Sequence, residues 1–102
     1  MIPHRDEVMP VILDLLAEGR TISAEEIAEA VAVRFKLTDE ERTRMRGPHP
    51  EYRNETAFAL VRLQVLGYIQ KPSPPALTYR TTDSGMHART GELPRERQAD
   101  TM

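Results

Sequence analysis

At Gly67 the hydrophobic period of this sequence changes, and that change restricts the chain more than any other feature. From about Tyr52 to Leu66, the residues Ala59, Leu60, Leu63 and Leu66 recur at helical spacing and define one apolar face. Arg53, Asn54, Ala57, Val61 and Gln64 lie on or near the opposite side. Past the glycine, Tyr68-Ile69-Gln70-Lys71 and Leu77-Thr78-Tyr79-Arg80-Thr81-Thr82 are rich in aromatic and β-branched residues and predict two strands. Pro72-Ser73-Pro74-Pro75-Ala76 joins them as a turn-rich loop. The hairpin so formed has an apolar side, with Ile69 on one strand and Tyr79 and Thr81 on the other, which helices must cover.

The upstream chain supplies those helices. Val8, Val11, Ile12, Leu15 and Leu16 make a helical stripe over about Arg5 to Glu18, with Asp6 and Glu7 at the dipole's positive end and Gly19 as a left-handed stop. Pro10 marks the start of the regular helix or bends it. Arg20-Thr21-Ile22 reads as a linker or small strand, and Ser23-Ala24-Glu25-Glu26 as a capping box. Ile27, Ala28, Val31, Ala32 and Phe35 form the inward face of the helix behind it. Thr38-Asp39-Glu40-Glu41 repeats the box and predicts a short helix through about Met45. Gly47-Pro48-His49-Pro50 then breaks the chain before the long helix. Asp83-Ser84-Gly85 is placed to open a short last helix, and no internal repeat is visible. Residues 1–90 read as the folded unit, and 91–102 as a polar tail too poor in apolar residues to order itself.

A chain of 102 residues supports one hydrophobic core. With no cysteine there is no disulfide framework, thiolate metal site or thiol nucleophile. The start shows no signal-peptide pattern, and the apolar runs fall far short of the roughly 20 residues that span a bilayer. These observations predict a soluble, cytoplasmic protein with no membrane partner. The net charge is −2, but it is unevenly spread. Met1 to Glu41 carries four bases against ten acids, whereas Arg42 to Thr90 carries eight bases against three acids. Such asymmetry points modestly to a nucleic-acid face in the second segment.

Helix, helix, short helix, long helix and hairpin is the order of a winged helix-turn-helix, so the expected class is mainly α with a small β-hairpin. In such a fold the free side of the long helix can enter a major groove about 12 Å wide. The chain also resembles the N-terminal domain of Mrr-type restriction system proteins over about Ile2 to Arg89. The resemblance rests on Met9-Pro10-Val11-Ile12-Leu13 with Leu16 and Gly19, and on Glu26-Ile27-Ala28-Glu29-Ala30-Val31-Ala32. It continues through Leu37-Thr38-Asp39-Glu40-Glu41, Asn54-Glu55-Thr56-Ala57-Phe58-Ala59, Leu63, Gly67 and Tyr79-Arg80-Thr81-Thr82-Asp83-Ser84-Gly85. It implies a winged-helix DNA-recognition module, which in full-length enzymes precedes a separate nuclease domain. Phe58 corresponds to a large aromatic of the family and is expected in the core.

Catalysis finds no support in the residues. The lysines, Lys36 and Lys71, lack the Asp…Glu-x-Lys setting of a metal-dependent nuclease. Glu25-Glu26-Glu29 and Asp39-Glu40-Glu41 fall where capping boxes and helix starts favour acid. His4, His49 and His87 are scattered, the serines lack His and Asp partners, and no Gly-rich phosphate loop is present. Neither enzyme activity, metal nor cofactor is expected.

The candidate DNA contacts are therefore basic and polar residues around the long helix. Arg42, Arg44 and Arg46 lead into the loop before it, where guanidiniums can grip phosphates, and His49 lies in that loop. Arg53 and Asn54 stand on its first turn, suited to guanine and adenine edges, with Tyr52 and Ala57 beside them. Arg62 reaches a phosphate or covers apolar surface with its stem. Lys71 and Arg80 flank a loop that lacks the basic tip of a phosphate-gripping wing. The leading expectation is a non-catalytic protein that binds double-stranded DNA, as a transcriptional regulator or a restriction-type recognition module. A homodimer through the first helix or the tail would raise its affinity, and a separate nuclease or other protein is a further candidate partner. The alternative is a protein-interaction module on the same scaffold, which the overall acidity and the non-basic wing favour.

Overall fold

The computed structural model describes residues 1–89; the expected tail at 91–102 lies outside them. Helix α1 runs Arg5–Leu15 and accounts for all four amides that a helix start leaves without an intrahelical partner. The Arg5 amide donates to Glu55, 2.9 Å away, and the Asp6 amide to His4 Nδ1 at 3.1 Å. The Glu7 amide donates to the His4 carbonyl at 2.8 Å, and the His4 amide to the Glu7 carboxylate at 3.4 Å. Pro10 lies inside the helix, and a 3-10 turn, Ala17–Gly19, follows its end. Gly19 takes the left-handed conformation expected of it, with φ of 75°.

Strand β1 (Ile22–Ser23) leads into α2 (Ala24–Arg34). Ser23 caps α2 by accepting from the Glu26 amide at 3.2 Å. The expected reciprocal bond differs: the Glu26 carboxylate accepts from the Ser23 hydroxyl, 3.1 Å away, while the Ser23 backbone belongs to a strand. At its far end α2 closes with Leu37 donating to the Ala32 carbonyl at 3.0 Å and Lys36 to Val33 at 3.1 Å. This closure puts Lys36 at φ 53°, a left-handed conformation that strains a side chain with a Cβ. Lys36→Gly should therefore stabilise the domain by about 0.5 kcal/mol, after allowing for glycine's greater freedom in the unfolded chain. A urea midpoint that falls on substitution would refute this.

Helix α3 (Asp39–Thr43) has the full capping box expected at Thr38 and Glu41. Between α3 and α4 (Glu51–Val65) the chain does more than break. Met45–Arg46 (β2) pairs antiparallel with His49–Pro50 (β3) around a turn at Gly47 and Pro48. Helix α4 ends at a glycine with φ 79°, where Tyr68 donates to the Leu63 carbonyl at 2.9 Å and Gly67 to Gln64 at 3.0 Å. That conformation suits a residue without a Cβ and aims the chain into β4 (Ile69–Gln70). Strand β5 (Thr78–Thr81) pairs antiparallel with β4 on one side and β1 on the other, so the predicted hairpin is a three-stranded sheet of order β1-β5-β4. Helix α5 (Asp83–Arg89) closes the described chain.

The architecture is mainly α with a small antiparallel sheet, compatible with a winged helix-turn-helix. Its core joins Met9, Ile12, Leu13 and Leu16 of α1 to Ile27 and Val31 of α2, Leu63 of α4, and Ile69 and Tyr79 of the sheet. Each fully buried Leu or Ile contributes about 1.5–3 kcal/mol over its exposed state. A smaller cluster of Ala28, Ala32, Leu37 and Tyr52 seats α2 against the start of α4. Asp14 of α1 pairs with Arg34 of α2 at 3.6 Å and with Arg89 of α5 at 3.0 Å. Phe58 departs from its expected place in the core. It is 46% exposed, with the Arg5 guanidinium 4.0 Å from its ring centre. The inward face of α4 is already filled by Tyr52, Glu55, Thr56, Ala59, Leu60 and Leu63, which leaves Phe58 on the flank.

Candidate nucleic-acid interface

The start of α4 is held by main-chain atoms of the β2–β3 hairpin. Pro50 occupies the cap position and offers no side-chain bond. The Glu51 amide instead donates to the Arg44 carbonyl at 2.8 Å, and Asn54 Nδ2 donates to the Arg46 carbonyl at 3.1 Å. The first turn of α4 and the hairpin thus form one corner, with α3 packed beside it. Arg44, Arg46 and His49 are exposed there. One donor of Asn54, a candidate base reader, is engaged inside that corner.

Two carboxylates organise the guanidiniums around the corner. Glu29 of α2 accepts from Arg42 Nη1 through Oε2 at 2.9 Å and from the Tyr52 hydroxyl through Oε1 at 3.2 Å. Arg53 Nη2 stands 3.7 Å from the same Oε1, while its Nε donates to the Tyr52 oxygen at 3.2 Å. The Arg42 hydrogen bond holds the Glu29 carboxyl below the usual carboxylate range, against partial desolvation, and Tyr52 and Arg53 add to it. Glu29 is therefore ionised throughout the neutral range. The Tyr52 bond, with the charges of Glu25 and Glu29, raises the Arg53 pKa further above its ordinary value.

Glu55 is the second organiser. Its side chain is 6% exposed and receives the Arg5 amide, the Arg5 guanidinium at 3.4 Å and Arg46 Nη1 at 3.0 Å. A buried carboxylate with this many donors fastens α1, α4 and the hairpin to one another.

Of the sequence-predicted site residues, Arg42, Tyr52 and Arg53 are brought together on Glu29, Arg46 and Asn54 meet at the hairpin, and Arg44 and His49 lie exposed on the same corner. Arg44 reaches toward Glu40 at 3.9 Å. Ala57 is exposed one turn further along α4. Arg62 lies beyond it, half-buried, with a buried Nε that has no partner among the described residues. Lys71 and Arg80 are elsewhere: Lys71 stands 5.8 Å from the Tyr79 ring centre, and Arg80 lies against Gly19. The outward surface of α4 changes character along its length. Its first turn carries Arg53 and Asn54, whereas its second half exposes Val61 (57%) and Val65 (74%) beside Phe58.

Sequence reasoning missed Glu29 and Glu55 as organisers, though both carried a signal. Glu29 is the sixth residue of α2, past the first turn where the helix dipole rewards acid. Glu55 falls on the apolar face of α4, between Tyr52 and Ala59, where an unpaired carboxylate would be costly.

Among the described residues no group of His, Asp or Glu could hold a metal ion, and no helix is long and apolar enough to cross a membrane. No curated protein and no solved structure matches the chain. The family model of the Mrr N-terminal domain matches residues 6–90, nearly the full length, and the chain belongs to that family.

Proposed function

We propose that this domain binds duplex DNA and catalyses no reaction, serving as a recognition module related to restriction systems. The observation that carries this reading is the corner at the start of α4. There Arg42 and Arg53 on one flank, and Arg44 and Arg46 on the hairpin side, surround the helix turn that a winged helix offers to a major groove. Arg44 and Arg46, exposed on the hairpin side, grip phosphates and set the register. Arg53, on the helix itself, faces base edges.

Titration against random-sequence duplex at low and near-physiological salt tests it. The domain should bind at micromolar concentration and weaken steeply as salt rises. The Arg44→Ala, Arg46→Ala double variant should bind about tenfold more weakly, with a salt slope shallower by about 2. Absence of binding at low salt would overturn the reading.

A protein-interaction role on the same scaffold is favoured by one observation, the apolar outward surface formed by Phe58, Val61 and Val65. It becomes the leading reading if the titration shows no binding.

A further inference from the structure

Glu29 stands in an unusual place for a DNA-binding surface. It lies on α2, its side chain is 48% exposed, and it faces two of the guanidiniums assigned to DNA. It is no helix cap, being well past the first turn of α2. It does not fill a gap in the core either, since Tyr52 closes that side with its ring buried beneath. What it does is engage Arg42 directly and, with the Tyr52 hydroxyl, fix the orientation of Arg53.

Consider what each possible DNA group would meet there. A phosphate approaching Arg42 or Arg53 brings full negative charge up to the Glu29 carboxylate and must displace it or bear the repulsion. A base edge is neutral. Arg53 has five N–H donors, of which Nε is taken by Tyr52 and one Nη2 hydrogen faces Glu29. Its outer edge is left for two acceptors side by side, such as guanine O6 and N7. The same carboxylate thus penalises backbone gripping and leaves base reading open.

We propose that Glu29 is a specificity-determining positioning residue, which keeps Arg42 and Arg53 off the phosphate backbone and presents Arg53 to a base edge. This rests on the DNA-binding reading above. Non-specific affinity is held down by a built-in negative charge, so discrimination between sequences gains at the expense of overall grip.

The test compares wild type, Glu29→Gln and Glu18→Gln on a random-sequence duplex across a salt series, with thermal melts to confirm folding. Glutamine keeps an acceptor for Tyr52 and removes the charge. Glu18, exposed on the turn after α1, controls for the same change in net charge elsewhere. Glu29→Gln should bind about tenfold more tightly at moderate salt, with a salt slope steeper by about 1–2 as Arg42 and Arg53 turn to phosphates. Glu18→Gln should stay close to wild type. If wild type binds and Glu29→Gln binds no better, or if the two variants change alike, the role of Glu29 is refuted and the DNA reading stands. If wild type does not bind at low salt, the DNA reading itself falls, and the role of Glu29 falls with it.

Discussion

Gly85→Ala should cost the domain about 3 kcal/mol and lower its melting temperature by roughly 12–24 °C. In an exposed helix the same exchange would stabilise by up to about 1 kcal/mol, so the sign is the diagnostic. A methyl at this position would lie 2.0 Å from the Tyr68 carbonyl oxygen and 2.4 Å from Thr81 Oγ1. The first obstacle is backbone and cannot swing aside. It is also in use, accepting from the Thr82 amide at 3.0 Å and the Thr81 hydroxyl at 3.3 Å. The Thr82 hydroxyl, in turn, accepts from the Gly85 amide and donates to the Gly67 carbonyl at 2.6 Å. Relief of the clash means lifting α5 from the α4–β4 turn, which also parts Arg89 from Asp14. Thermal unfolding followed by circular dichroism reads the effect, and an unchanged midpoint would show that α5 does not dock as described.

The second large effect is expected at Glu55. Glu55→Ala should destabilise by about 2–3 kcal/mol, near the lower end for removing one partner of a buried ion pair. The discount reflects Arg46, whose largely exposed guanidinium loses little when freed. Most of the loss comes from the first amide of α1, which is left without its acceptor, and from the half-buried Arg5. Glu55→Gln retains an acceptor for that amide and should recover about half of the deficit. Equal losses for the two variants in a denaturant titration would defeat this account.

How much of this could be read in advance depended on the distance over which each signal acts. The turn from α4 into β4 was legible because Leu60, Leu63 and Gly67 lie within two helical turns of one another. The Thr38–Glu41 box was legible for the same reason. The β2–β3 hairpin was not, since two residues a side give no alternation to detect and a proline in β3 argues against a strand. Phe58 shows the limit of a helical pattern. It neighbours Ala59 in sequence, yet the core had no room on its side, and a cation from α1 covers it instead. The candidate site was legible as a set of basic residues but not as an arrangement. Arg5 and Glu55 are fifty positions apart, and nothing local announces that they meet.

The hairpin grips the head of α4 through the carbonyls of Arg44 and Arg46, and every amino acid owns a carbonyl. The cap itself therefore survives a change of side chain at either position, although Arg46 also braces the hairpin through Glu55. Under the DNA-binding role proposed above, this main-chain mount stays in place while the exposed Arg44 side chain changes, so target preference can shift there one substitution at a time.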